Sequence, residues 1–151
     1  MDEESKAMRA LHILLRPGFG AAIMAAQFLS TREGIFASSV PLLIVGGLLV
    51  AAAVGLWAAS AVHLAQGTKA GRLVQSGPYR IVRHPIYASV LLLGLGLGLI
   101  FFSWIQILIV VASTPFWWLE CKREEEEMSS EFGEAYAEYQ ERTSMLIPGL
   151  L

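Results

Sequence analysis

From Ile86 to Glu120 the chain runs for 35 residues with no charge before the last of them. One helical crossing of a hydrocarbon core takes ~20 apolar residues. The run is too long for one crossing and only just sufficient for two. It is therefore predicted to fold as a tight helical hairpin turning near Phe102-Ser103-Trp104. Gly94 and Gly98 form a Gly-x-x-x-Gly pair with Gly96 between them, a pattern that lets helix backbones approach closely. A soluble domain carries about 25% charged residues. Here 16% of 151 residues are charged, 55% are hydrophobic and the mean hydropathy is +0.56. Composition thus predicts an integral membrane protein.

Residues 41–64 are also long enough to cross. On them Gly47, Ala51, Gly55 and Ala59 fall at i, i+4 spacing, a small-residue stripe suited to close approach of another helix. Residues 10–30 are predicted to form a further span, less uniformly apolar because of His12, Arg16 and Gln27, and bent at Pro17. Arg16 can snorkel to an interface, and His12 is read as interfacial. The acidic start Met1-Asp2-Glu3-Glu4 does not look like a cleaved signal peptide, so the first apolar segment is expected to be retained.

The expected fold is all-α, an integral membrane helical bundle of about four transmembrane helices. Its spans are 10–30, 41–64, 85–102 and 104–120, the last two forming the hairpin. A motif loop at 65–84 and a helical tail at 121–151 complete one domain, residues 1–151. Gly133 is placed to break the tail helix, with a short helix carrying Tyr136 and Tyr139 after it. This arrangement puts ten of the eleven Lys and Arg on one side and leaves only Arg32 opposite. The positive-inside rule then places both termini, the loop and the tail in the cytoplasm.

The single cysteine, Cys121, excludes an internal disulfide and a multi-thiolate metal site. His12, His63 and His84 are dispersed, so no metal is expected. No Gly-x-Gly-x-x-Gly follows a strand, which excludes a soluble Rossmann-type methyltransferase. The net charge of −2 gives no reason to expect a nucleic-acid partner.

Chemistry concentrates in two blocks. The first is Gly77-Pro78-Tyr79-Arg80-Ile81-Val82-Arg83-His84-Pro85-Ile86-Tyr87. Pro85 holds His84 in extended backbone and is itself suited to the first position of a helix. His84 is thus expected at the mouth of a membrane helix, among polar donors and at the positive end of the helix dipole. His63 and Gln66 lie just upstream. His63 reads first as an interfacial histidine bonded to a backbone carbonyl, and second, with Gln66, as lining the mouth of a pocket. The second block is Glu124-Glu125-Glu126-Glu127, read either as a solvated helix face with i, i+4 partners Lys122 and Arg123 or as a carboxylate cluster facing the first block.

Gly77-x-Tyr79-x-x-x-Arg83-His84-Pro85-x-Tyr87 resembles the signature of the isoprenylcysteine carboxyl methyltransferase family and its prokaryotic relatives. The glutamate run, Phe132-Gly133, Tyr136, Tyr139 and Ile147-Pro148 match that family's tail in order and nearly in spacing. The resemblance covers roughly Gln66 to Pro148. Its first block is shared with phospholipid methyltransferases and with some membrane sterol reductases.

The resemblance implies a membrane enzyme of a bacterial or archaeal cytoplasmic membrane, using S-adenosylmethionine to methylate a lipophilic or lipid-modified substrate. The carboxylate of an isoprenylcysteine-like acceptor is the implied methyl acceptor. It places the cofactor on Gln66, Gly71, Arg72, Leu73, Val74, Tyr79, His84, Pro85, Ile86, Tyr87 and the central glutamates. Counting from the run favours Glu126, and counting back from Phe132-Gly133 favours Glu124 and Glu125. Arg83, Lys122 and Arg123 would hold the acceptor's anionic end. Two departures stand out: Lys122 occupies the place of the family's arginine, and Ala88-Ser89 that of its usual glycine. A lysine is a point charge and cannot form arginine's bidentate fork. N-methylation of a phospholipid or other amine, an NADPH-dependent membrane reductase and a non-catalytic ligand-binding membrane protein are the alternatives.

Overall fold

The computed structural model describes residues 39–69 and 71–150, together with residue 25 alone. The expected first span, with His12 and Arg16, therefore lies outside the described residues apart from that one position. Four α-helices follow in order: α1, Val40–Lys69; α2, Pro85–Ile100; α3, Trp104–Phe132; and α4, Glu134–Arg142. A single 3-10 turn, Gly77–Arg80, sits in the loop between α1 and α2. At 1.5 Å per residue, α1 is about 45 Å long, more than the ~30 Å of a hydrocarbon core. Its outer surface leaves Leu43, Leu48, Trp57 and Val62 exposed, as a lipid-facing helix requires. The chain is an all-α membrane protein in which α1 and α3 are each long and apolar enough to cross.

The hairpin turns where the sequence predicts. Phe101 donates to Leu97 O at 3.0 Å, Phe102 adopts φ 49°, and Ser103 starts the return. The Ser103 hydroxyl accepts from the Gln106 N–H at 3.2 Å and caps α3. Gln106 is fully buried and donates from Nε2 to Gly94 O at 3.4 Å, a polar staple between the two arms. The glycines of α2 serve two neighbours. A Cβ on Gly98 would lie 2.8 Å from Ile107 Cγ1 of α3, and one on Gly96 would lie 2.9 Å from Gly46 O of α1.

Among the described residues, the α1 stripe of Gly47, Ala51, Gly55 and Ala59 is not the face that meets α2. Gly47 and Gly55 have nothing within 4 Å of an added Cβ among the described residues, whereas Gly46 meets Gly96 O at 2.8 Å. The face that packs on α2 carries Gly46, Val50 and Ala53, one position round the helix. Small residues occupy both faces of α1, so composition does not tell which one is covered.

The charged tail is helical, as expected, and it is continuous with the apolar part of the same helix. Helix α3 continues unbroken through the charged stretch to Phe132, with Pro115 inside it. The Ser113 and Thr114 hydroxyls both donate to Val110 O just ahead of that proline. Arg123 turns back to Glu120 at 2.8 Å. Gly133, at φ +53°, then breaks the helix as expected, and α4 folds back so that Gln140 reaches Glu125 of α3.

Candidate functional site

The 3-10 turn and the start of α2 are held from the far end of the chain. Val82 and Ser144 form a parallel bridge. Arg83 N–H donates to Ser144 O at 2.8 Å and His84 N–H to Met145 O at 3.1 Å. The Tyr139 hydroxyl donates to Tyr79 O at 2.7 Å. Gly149 N–H, donating to the Ser144 hydroxyl at 2.9 Å, fixes the last bend. His84 is not extended as expected: it sits at φ −122°, ψ 61°, outside the helical region that Pro85 disfavours, and its N–H is free to pair with the returning chain.

Arg83 is buried and directed inward. Its Nε donates to Glu125 Oε1 at 2.7 Å, and its Nη1 to Gln140 O at 3.0 Å and to Thr143 O. Gln140 Nε2 donates to the other Glu125 oxygen at 3.1 Å. Arg83 and Glu125 thus form a buried pair that ties α3 to the C-terminal end of α4. His84 is 8% exposed and stands between two carboxylates, with Nδ1 3.4 Å from Glu124 Oε2 and Nε2 3.4 Å from Glu125 Oε1. Burial pulls its basicity down, but Cys121 and the two neighbouring carboxylates outweigh that and hold its pKa up at about 11, with Nε2 itself making no hydrogen bond of good geometry. The imidazole is therefore a cation at neutral pH. Tyr87 donates its hydroxyl to Glu124 Oε1 and stacks at 5.3 Å on Trp117.

Beside this cluster lies a cavity of about 590 Å³, within the range of small-molecule sites. One wall is the loop from Gly71 to Val74; the floor is Tyr79 and Arg83 to Tyr87; the opposite wall is one face of α3 with Tyr136 and Tyr139 behind it. Burial first, then the Glu124 charge, pushes the Tyr79 phenol up to about 12, so it stays neutral. Burial likewise raises Tyr136 and Tyr139.

Gly71, Arg72, Leu73, Val74, Tyr79, Arg83, His84, Pro85, Ile86, Tyr87 and Glu124 all line this cavity. Gln66, Glu125, Glu126, Lys122 and Arg123 do not. Glu125 points to Arg83, and Glu126 is exposed. Lys122 Nζ lies 5.7 Å above the Trp118 ring, outside the cavity. The open register among the glutamates has a helical answer: successive residues turn about 100°, so only part of the run can face one wall. His63 takes its expected bland role, with Nδ1 2.8 Å from Ala59 O and its ring against Gly77, whose added Cβ would lie 2.5 Å from Nε2. Sequence reasoning missed Leu64, Glu127, Met128, Glu131 and Phe132 on the wall. Positions 124, 127, 128 and 131 follow i, i+3, i+4, i+7, so helical periodicity carried the signal.

The profile of the phospholipid methyltransferase family matches residues 36–135, which span α1 to the first turn of α4. The chain belongs to that family. No curated protein and no solved structure matches it. Family membership makes it an S-adenosylmethionine-dependent membrane methyltransferase acting on a hydrophobic substrate. The cofactor, when bound, supplies an electrophilic methyl group on a sulfonium.

The residues present fit such a molecule. Glu124 on the cavity wall matches an ammonium or sulfonium, and the first amides of α2, with no side-chain cap and no acidic residue in its first turn, match a carboxylate. Leu73, Val74, Tyr79 and Pro85 offer the apolar and aromatic surface an adenine needs.

Proposed function

We propose that the chain transfers the methyl group of S-adenosylmethionine to the carboxylate of an isoprenylcysteine-like lipid acceptor, forming a methyl ester. The observation that carries this reading is His84 between Glu124 and Glu125 at 3.4 Å from each. So held, the imidazole keeps its proton and is no base. A carboxylate acceptor needs no base, because it is ionised at neutral pH. What the site must supply is alignment and exclusion of water. Glu124 takes the cationic part of the cofactor, the start of α2 its carboxylate, and the Leu73–Val74–Tyr79 surface its adenine. Trp117, buried against Tyr87, and Trp118, half exposed, mark where a lipid chain reaches the site between helices.

N-methylation of a phospholipid amine is the second reading. It is favoured by the family match and by Glu127 and Glu131 on the cavity wall, since carboxylates suit a cationic headgroup. Incubation with methyl-labelled S-adenosylmethionine and either a farnesylated cysteine analogue or phosphatidylethanolamine separates them. Base-labile label on the first is expected. Base-stable label on the second alone replaces the ester reading with N-methylation.

A further inference from the structure

Of the cations that the resemblance gives to the acceptor, only Arg83 lines the cavity. Lys122 lies over Trp118, Arg123 is paired with Glu120, and Arg83 is buried with its Nε and Nη1 bonded inside the protein. His84 sits beneath Glu124 and Glu125. A further cation lines the cavity. Arg72 is exposed, lines the cavity and has no side-chain partner among the described residues.

Its position is built rather than incidental. Arg72 N–H donates to Gly67 O at 3.2 Å, Gly71 turns the chain at φ +58°, and Val74 lies so close that a Cβ on Gly67 would stand 2.1 Å from its Cγ2. The loop is folded back on the end of α1, so Arg72 is carried on a defined turn. Leu64 lines the same cavity and is 40% exposed. A molecule with an anionic head and an apolar tail matches that combination. The cofactor's own carboxylate already has a place at the start of α2.

We propose that Arg72 anchors the anionic group of the lipid acceptor, a carboxylate or a phosphate, at the loop wall of the cavity. This rests on the reading of the chain as a lipid methyltransferase, and it makes Arg72 a specificity-determining residue. A guanidinium suits either anion through paired donors.

The test compares wild type with Arg72→Gln and Arg72→Lys, purified in neutral maltoside detergent. Three quantities are read: affinity for S-adenosylhomocysteine, affinity for dodecyl phosphate, and KM for the farnesylated cysteine analogue and for phosphatidylethanolamine. Arg72→Gln is expected to weaken dodecyl phosphate binding and raise the acceptor KM about tenfold or more, the loss of a charge-assisted contact. Although the resemblance gives Arg72 to the cofactor, S-adenosylhomocysteine affinity should fall far less than dodecyl phosphate affinity; thermal unfolding certifies the fold, and Arg72→Lys should recover part of the loss. The KM effect falls on the carboxylate substrate if the ester reading is right and on the phospholipid if it is not. If neither lipid is methylated but dodecyl phosphate binding still depends on Arg72, the acceptor assignment fails and the anion anchor stands. Unchanged dodecyl phosphate affinity in Arg72→Gln, or a matching loss of S-adenosylhomocysteine affinity, overturns the proposal.

Discussion

Neighbouring glutamates on α3 do different work because the helix turns between them. Glu125 is 4% exposed and balances Arg83, so Glu125→Gln leaves a buried guanidinium short of its counter-charge. Removing one partner of a buried pair typically costs about 3–5 kcal/mol. The carbonyls of Gln140 and Thr143 remain to Arg83, which puts the expected loss at the lower end of that range. Glu126 is exposed, and Glu126→Gln should leave the melting temperature unchanged. Thermal unfolding in detergent checks both, and equal effects would contradict the assignment. His84 gives a pH signature. Its pKa rises from an ordinary 6.5 to about 11 on folding, so protonation favours the native state. That contribution is complete below about pH 6.5 and declines as pH rises toward 11. The stability gap between wild type and His84→Gln should be largest near pH 6 and should narrow in alkali. A gap that widens with pH would show that His84 is held neutral. The residues of the first block were legible in the sequence because Pro85 fixes where a helix starts. Which glutamate faces them was not, because four identical side chains carry no phase.

At the scale of elements, the hairpin and the Gly133 break were readable from an uncharged run and a helix-breaking residue. The packed face of α1 was not, since small residues line two faces and only the partner helix selects one. A matched pair of substitutions tests that selection. A Cβ on Gly96 would sit 2.9 Å from Gly46 O, so Gly96→Val should destabilise by about 1–3 kcal/mol. Gly47→Ala, with nothing within 4 Å among the described residues, should leave the melting temperature unchanged or slightly higher. The pairing of the chain's last residues with Arg83 and His84 was equally hidden, because short segments remote in sequence show no pattern of their own. Tyr139→Phe removes the donor to Tyr79 O and leaves a buried carbonyl unpaired, at a cost of about 1–3 kcal/mol. It should also weaken S-adenosylhomocysteine binding, because Tyr79 lies on the cavity floor. Unaltered affinity in a destabilised variant would make Tyr139 purely structural.

Across the whole molecule, α1 and α3 carry apolar lengths through the bilayer while the loop, the start of α2 and the charged end of α3 gather at one end. Ser103 stands at the opposite end, in the hairpin turn. On the cation count we propose that the site end faces the cytoplasm, where a water-soluble cofactor is available, and that the acceptor stays in the bilayer. Two reactants of opposite solubility then meet at the interface. The central claim is that the cavity between the first block and α3 holds S-adenosylmethionine, and calorimetric titration of the purified protein tests it most directly. Wild type should bind S-adenosylhomocysteine and not NADPH, and Glu124→Gln, somewhat destabilised by the loss of its Tyr87 and His84 contacts but folded, should lose about ten- to a hundredfold in affinity. Binding of NADPH in preference, or full S-adenosylhomocysteine affinity in folded Glu124→Gln, would contradict it.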